Sequence, residues 1–551
     1  MGRRSLLDRL LPPKAGVDRR TFLGGLGGLG AVACATGGKP SPDSGDSGRV
    51  DSGDPIDPDG TCSPGAPTAT SDTTTAGDSP FSSSPFGLGV ASGDPLHDRV
   101  ILWTRLVEEP TNVAASPTTD ADVVWQLAAD EAFSTILQEG MVTTTAAQAH
   151  SVHVDVDGLD SETEYFYRFI CGAHESPIGR TRTLPCPDAH PEQLRLGFAV
   201  CQNWRSGFYA SHRHMAEARV DLVVFLGDYI YESGDVGDVR DHGAPECMDL
   251  SDYRNRHGLY RSDEDLQAAH ASAPWVPIWD DHELDNNCEG SATDDAALAA
   301  RRAAAYQAWY EHMPVRQAPA ADGSLQIHRA FDVGALARIV LLDGRQHRDP
   351  QPCGDDIGAT CPEVSEDRTL LGTDQEAWVD DQLTSHDATW VVVANPVVML
   401  PIDLGGTFLN PDQWDGYPLA RQRFLDAVAA GSAGRTVLFT GDIHAAGVGV
   451  VPEDPSVYDG PAAVAEIVVP PTSSRFTHDL ADTVGTLLSA QEHIEWWDWT
   501  VNGWTEAILT KDSLHAVFWL VDEVTDPASD VQAARSWTLT PGDAQPVETT
   551  R

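Results

Sequence analysis

Val223–Glu232 reads VVFLGDYIYE, and the way this stretch ends decides the fold. Its unbroken run of β-branched and apolar residues is the pattern of a strand buried on both faces. The run stops at Gly227, and Asp228 and Tyr231 then place a carboxylate and a phenol at the strand's carboxyl end. The same arrangement recurs elsewhere. Leu196–Trp204 (LGFAVCQNW) delivers Cys201, Pro277–Asn287 (PIWDDHELDNN) delivers Asp281 and His282, and Thr436–His444 (TVLFTGDIH) delivers Asp442 and His444. In a layered α/β sheet such loops converge on one edge, so groups distant in sequence can share a cluster of cations. A cluster of that kind makes hydroxide at neutral pH.

Working outward, further buried-type runs (ARIVLLDGR, TWVVVANPV) alternate with helical stretches such as AALAARRAAAYQAWYEHM, DQEAWVDDQL and LARQRFLDAVAAG from about Leu194 onward. Alternation of this sort predicts an α/β layered domain. Beyond residue 455 it weakens, and HIEWWDWTVNGWTEAILT and SLHAVFWLVDEV read as closing β-hairpin strands. Their clustered Trp496, Trp497, Trp499 and Trp504 are expected to be core aromatics, with a substrate-facing role as the alternative. From Phe86 to about Pro185 the runs are short and alternating, as in a small β-sandwich. Leu159, Thr163, Tyr165 and Tyr167 carry the spacing of a corner found in fibronectin-type modules, and no chemistry is assigned to them.

The ends and the charge set the compartment. A formal net charge of −48 over 551 residues disfavours nucleic acid and anionic bilayers as partners. Arg19 and Arg20 precede an apolar, Gly-rich run to Ala33, the form of a twin-arginine export signal spanning residues 1–34. Ala31-Val32-Ala33 is an ordinary cleavage site, whereas Cys34 immediately after it is the position of a lipid anchor; both endings stay open. Residues 35–80 are Ser, Asp, Gly, Pro and Thr, and read as a disordered tether. Nine cysteines in an exported chain suggest disulfides. Cys353 with Cys361 is the best pair, Cys171 with Cys186 and Cys247 with Cys288 are further candidates, and Cys62 is the expected unpaired one. The expected location is extracytoplasmic: periplasmic, secreted or membrane-anchored.

Taken singly, the strand-end motifs are weak, since GDxxY or GDxH can simply be a capped turn and a buried cysteine is usually inert. Together they are specific. Asp228 can bridge two cations because its oxygens carry separate lone pairs, and a phenolate at Tyr231 points to a ferric ion. Asp280, Asp281 and Glu283 around His282 would repel one another without compensating cations. Asn286 and Asn287 add neutral oxygen donors suited to calcium.

FAVCQNW, FLGDYIYES, WDDHELDNN, QWDGYPLARQR and TGDIH resemble, taken together, the PhoD family of alkaline phosphatases and phosphodiesterases, from about Phe86 to beyond residue 510. The resemblance implies a metallophosphatase-type four-layer αββα core over 192–545, preceded by a fibronectin-like sandwich over 86–187. It implies Fe3+ held by Cys201, Asp228, Tyr231, Asp442 and His444, with Asp228 shared with Ca2+, and Asn287, Asp415 and Asp281 as further oxygen donors. The expected reaction is hydrolysis of a phosphate ester by a metal-activated hydroxide. His282 is the candidate to protonate the leaving group. Arg254 and Arg421, with Arg256, Arg261 and Arg423, are candidates to clamp the substrate. The chain departs from the family where Ala445 and Ala446 follow His444, positions that often carry small hydroxyl residues. Phosphodiesterase or phospholipase activity is the alternative chemistry, with segments 235–275 and 350–375 as candidate caps. A non-catalytic surface-binding protein would show a degraded ligand set, and every expected ligand type is present. A monomer is expected.

Overall fold

The structure is a computed structural model that describes residues 77–549 apart from 235, 291–294, 356–360, 403–409 and 477–480; side chains of 481–484 are likewise outside the description. The export signal, Cys34, Cys62 and most of the tether therefore lie outside the described residues. No helix among the described residues is long and apolar enough to cross a membrane.

Two large sheets lie face to face. One has ten strands, and Leu194–Ala199, Leu222–Phe225 and Pro274–Pro277 run parallel at its centre. The other has seven strands, with Ala337–Leu341, Trp390–Ala394 and Thr436–Thr440 parallel at its centre. Phe198 and Phe439 stack across the interface with ring centroids 3.8 Å apart. Strand periodicity explains why these segments read as continuous apolar runs. Ile339, Val392 and Phe439 face the inter-sheet core, while their neighbours Val340, Val391, Val393 and Leu438 face the opposite side. There, helices Thr373–Thr384 and Pro418–Gly431 cover them through Val379, Leu383, Phe424, Leu425 and Val428. Helices Ala210–Ala218 and Glu264–Ser272 back the ten-stranded sheet, giving the four αββα layers.

The closing hairpin forms between Gly503–Leu509 and Leu514–Val521, but the segment before it goes to the other sheet. Ile494–Asp498 pairs with Ala446–Pro452 in the seven-stranded sheet, whereas Gly503–Leu509 pairs with Leu194–Ala199 in the other. The tryptophans are core residues: Trp496 and Trp504 join the inter-sheet core, and Trp497 and Trp499 the layer outside the seven-stranded sheet.

The N-terminal sandwich is less separate than the 86–187 boundary implies. Its outer layer is a five-stranded sheet, and Tyr165 Oη accepts the Asp160 N–H at 2.9 Å to pin its corner. Its other layer, Val90–Gly93, Val100–Arg105 and Ser151–Val156, continues the ten-stranded sheet by parallel pairing of Val90–Gly93 with Pro274–Pro277. Pairing of this kind removes two open strand edges. Gly93 permits it, since any Cβ there would collide with the carbonyls of Trp275 and Pro314.

Cys353 and Cys361 form a disulfide. The other two expected pairs are not made. Cys171, Cys247 and Cys288 are free thiols, and Cys186 is disulfide-bonded but not to Cys171. Cys171 ends an interior strand in the sandwich core, where its thiol packs as a small hydrophobe.

Candidate metal centre

The strand ends of both sheets meet in one acidic focus. Cys201 Sγ, a carboxylate oxygen of Asp228 and a ring nitrogen of His444 all lie within 4.8 Å of one another. Asp228 with Asp281 and His282 forms a second such group, and Asp280 with Asp281 and Asp442 a third. The groups overlap, so Asp228 stands where one carboxylate can serve two cations. Tyr231 Oη belongs with the first group: it donates to Asp228 Oδ2 at 2.8 Å and lies 2.9 Å from His444 Nε2 and 2.7 Å from Ser474 Oγ.

The backbone is bent to make this convergence. Cys201, Asp228, Asn287, Asp442 and His444 all have φ between 50° and 66°, a left-handed conformation that non-glycine residues adopt at some cost. For Cys201, Asp228, Asp442 and His444 this conformation falls within a few residues of the strand end. Gly227 opens the way for Asp228, because a Cβ there would meet Asp280 at 2.6 Å.

Charge in the focus is out of balance. Burial, followed by repulsion from Asp281, Asp280 and Glu283, pushes the Asp228 carboxyl well up, with His282 opposing. Burial with Asp280 and Asp281 does the same to Asp442. The Cys201 thiol and Tyr231 phenol are also driven well up, by burial and then by Asp228. Burial lowers the His444 imidazole to about 4. His282 goes the other way: despite burial, Glu232, Asp281 and Asp228 hold its pKa well above that of an ordinary histidine. Oδ1 of Asp228, Oδ1 of Asp281 and Oδ2 of Asp280 are buried without a hydrogen-bond partner. Orphaned oxygens beside a thiol, a phenol and an imidazole are a donor set that fits cations, which invert this pKa pattern by favouring the ionised ligands.

Other predicted residues land elsewhere. Asn287 is at the rim, donating its backbone N–H to Asp281 Oδ2 and its amide Nδ2 to Asp355 Oδ2, both at 2.6 Å. Asn286 instead donates its N–H to Glu232. Asp415 does not join any of the three groups: Arg421 Nη1 donates to its Oδ1 at 2.6 Å and Ile402 N–H to its Oδ2 at 2.8 Å. Two expected functional residues thus neutralise each other, as a buried ion pair must. Arg254 is likewise no clamp, since Glu311 binds it through both oxygens at 2.5 and 2.6 Å. Arg256 serves the backbone carbonyls of Tyr231, Ser233 and Pro245, Arg261 is buried over Trp103, and Arg423 pairs with Glu376 and Asp367.

Sequence reasoning passed over Arg345 and Asp412. Arg345 is buried at the centre of the acids. Its Nε donates to Asp280 Oδ1 at 2.5 Å and its Nη1 to Asp412 Oδ1 at 2.8 Å, while Nη2 stands 3.9 Å from Asp281 and 3.8 Å from Asp442. Asp412 also accepts from Arg348 at 2.6 Å and from Gln351 at 2.7 Å. The signal was present, because ARIVLLDGR is one more buried run ending in charged residues. Ser474 and Glu232 were also missed. Ser474 supplies a hydroxyl beside Tyr231 and His444, close to where Ala445 and Ala446 offer none.

Comparison with known proteins shows the family of this chain. The PhoD-like phosphatase family pattern matches residues 196–518, and the pattern for the PhoD-like phosphatase N-terminal domain matches 70–185. Alkaline phosphatase D of Bacillus subtilis (strain 168) is 39% identical over 474 residues, covering 83% of this chain and 81% of that protein. Purple acid phosphatase 23 of Arabidopsis thaliana is 32% identical over a shorter stretch, 99 residues. A solved structure described as "Structure of PhoD" superposes with a TM-score of 0.81 at 38% identity, covering 85% of this chain and 93% of that one.

Proposed function

The chain belongs to the PhoD-like phosphatase family and is a phosphoric ester hydrolase of that type, and from this premise we propose how its residues divide the work. Cys201, Asp228, Tyr231, Asp442 and His444 would hold Fe3+, and Asp228 and Asp281 would face Ca2+ on the Asn287 side. The observation that carries this is the overlap of the donor groups through Asp228. When bound, the cations supply Lewis-acid charge to the phosphoryl oxygens and lower the pKa of an attacking water.

His282 is the proton donor to the leaving alkoxide oxygen. Its Nδ1 is 2.7 Å from Glu232 Oε2, so the other nitrogen is free for substrate, and its ring leans on Tyr231 with centroids 4.1 Å apart. Its side chain is 16% exposed, against 1% for that of Asp281 beside it, which suits a group that must meet an incoming ester. Glu232 orients the ring and keeps it protonated, the logic of a base held by a second acid. Since the expected arginines are committed elsewhere, substrate charge is met by His282 and the cations.

The substrate read here is a phosphate monoester, in line with the name of the Bacillus relative; diester cleavage is the alternative. An extracytoplasmic location is supported by Arg19–Arg20 and by the Cys353–Cys361 disulfide, which suits an oxidising compartment. The test is Tyr231→Phe with absorption spectra and turnover of 4-nitrophenyl phosphate and its bis ester. The wild type should show a visible tyrosinate–iron band that the variant lacks, and should favour the monoester. A colourless, iron-free protein with full turnover would contradict the metal assignment, and preference for the bis ester would make it a diesterase.

A further inference from the structure

One residue after Asp228, the Tyr229 ring packs against His257 with centroids 6.0 Å apart, and behind His257 lies a second charged cluster that hydrolysis does not use. Arg105 and Arg261 are both completely buried there. Arg105 donates its Nε to the Ala149 carbonyl at 2.9 Å and its Nη1 to His312 Nε2 at 2.7 Å, but its Nη2 has no partner. Arg261 makes no short hydrogen bond through Nε, Nη1 or Nη2, although the Tyr229 hydroxyl interacts with its guanidinium; its Cζ stands 4.4 Å above the Trp103 ring. His257, one helical turn earlier, has neither ring nitrogen bonded and stacks on His312 at 4.8 Å.

These groups converge for topological reasons. Positions 257 and 261 share one face of helix Leu250–Arg261. That helix packs against helix Ala296–His312, which in turn meets strand Val100–Arg105 through the Trp103 Nε1 bond to the Glu311 carbonyl at 3.1 Å. His312 is neutral here. Its Nδ1 lies 2.6 Å from the Ala308 carbonyl, which only accepts, so Nε2 is an acceptor for Arg105.

The cluster has too much positive charge. Burial pulls Arg105 down only to about 10, so it stays charged at neutral pH. The carboxylate that acts on it, Glu311, is already bound by Arg254 through both oxygens. No carboxylate bonds either buried guanidinium among the described residues. A cation–π contact returns far less than removing a guanidinium from water costs, and water alone would satisfy N–H groups but leave the charge.

We propose that Arg105, His257 and Arg261 together bind a small monovalent inorganic anion of chloride's class, held by Arg105 Nη2, the Arg261 guanidinium and an N–H of His257. The anion is a structural counter-ion that locks helix Leu250–Arg261 to the sandwich end of the ten-stranded sheet. The phosphate released in turnover is a different ligand at a different place.

The probe is bromide on the full-length metal-loaded protein. Crystals soaked in sodium bromide and measured at the bromine edge should show an anomalous peak in contact with Arg105 and Arg261. A peak-free cluster holding only water would overturn the proposal. In solution, exchanging chloride for gluconate at constant ionic strength should lower the wild-type Tm by several degrees and leave that of Arg261→Met unmoved. Equal shifts in both proteins would make any crystal peak an adventitious ion only, and would likewise sink the idea.

Discussion

Two buried clusters adjoin the loop after strand Leu222–Phe225, one at Asp228 and one behind Tyr229, and they are electrical opposites. Around Asp228 the chain gathers Asp280, Asp281, Asp412 and Asp442 with Arg345 and Arg348 among them, and leaves carboxylate oxygens unpartnered. Around Arg261 it gathers guanidinium groups with neutral histidines, and leaves N–H groups unpartnered. Neither cluster balances its own charge, and a buried unbalanced charge is costly in either sign. What differs is the missing partner: cations in the first, an anion in the second. The comparison teaches that orphaned buried atoms, taken with local net charge, specify the sign of an ion more securely than residue type alone.

The largest expected effect comes from removing the shared carboxylate. Asp228→Asn should lower kcat/KM by about 10²–10³-fold, the range for losing one preorganised electrostatic group, and should lower bound metal measured on the same sample. Full metal content with full turnover would dissolve the contrast between the clusters. Next comes Arg345→Met, which strands Asp280 among other acids and leaves Asp412 to Arg348 and Gln351. Denaturant unfolding should show a loss of about 3–5 kcal/mol, the cost of breaking a buried pair, and adding Asp280→Asn should recover part of it. A loss under 1 kcal/mol (roughly the value of a surface pair) would mean that the acids are balanced some other way.

Opening the disulfide should act more weakly. Cys353→Ser with Cys361→Ser frees a short loop, costing about 2 kcal/mol, and loosens Asp355 from Asn287. Thermal scans with and without added calcium should show a smaller calcium-induced rise in Tm than the wild type gives. An unchanged rise would separate that loop from the acidic cluster. The smallest effect is expected from Arg423→Ala, an exposed pair with Glu376 and Asp367, which should shift stability by about 0.5 kcal/mol or less and leave KM alone. A raised KM would return that arginine to the substrate.

Much of the acidic cluster was legible in the sequence because its signals are local. A buried strand and the polar groups just after it lie within ten residues, as in Val223–Glu232. Arg345 and Asp412 were not legible, since their meaning depends on where strand Ala337–Leu341 delivers the chain against other strands. Asp415 was misplaced for a related reason. Two residues separate it from Asp412, and the short turn Trp414–Gly416 sends the first to Arg421 and leaves the second with Arg345. The cationic cluster was invisible as a site, because Arg105 ends a strand and Arg261 a helix far apart in the chain, and the two meet only where sandwich and core share a sheet. That sharing is itself a non-local edge pairing, Ser92 with Pro274, which no hydropathy pattern announces. Alternation of strands with helices of ordinary length made an α/β layered domain readable, whereas the four αββα layers were implied by the family resemblance.

The central claim is that strand ends distant in the chain gather around shared cations. Diffraction from metal-loaded crystals at the iron edge tests it most directly. An anomalous peak bonded to Cys201 Sγ, Tyr231 Oη, His444 and an oxygen of Asp228 is the predicted result. An active enzyme whose iron signal lies elsewhere, or whose Cys201 and Tyr231 bind no metal, would contradict it.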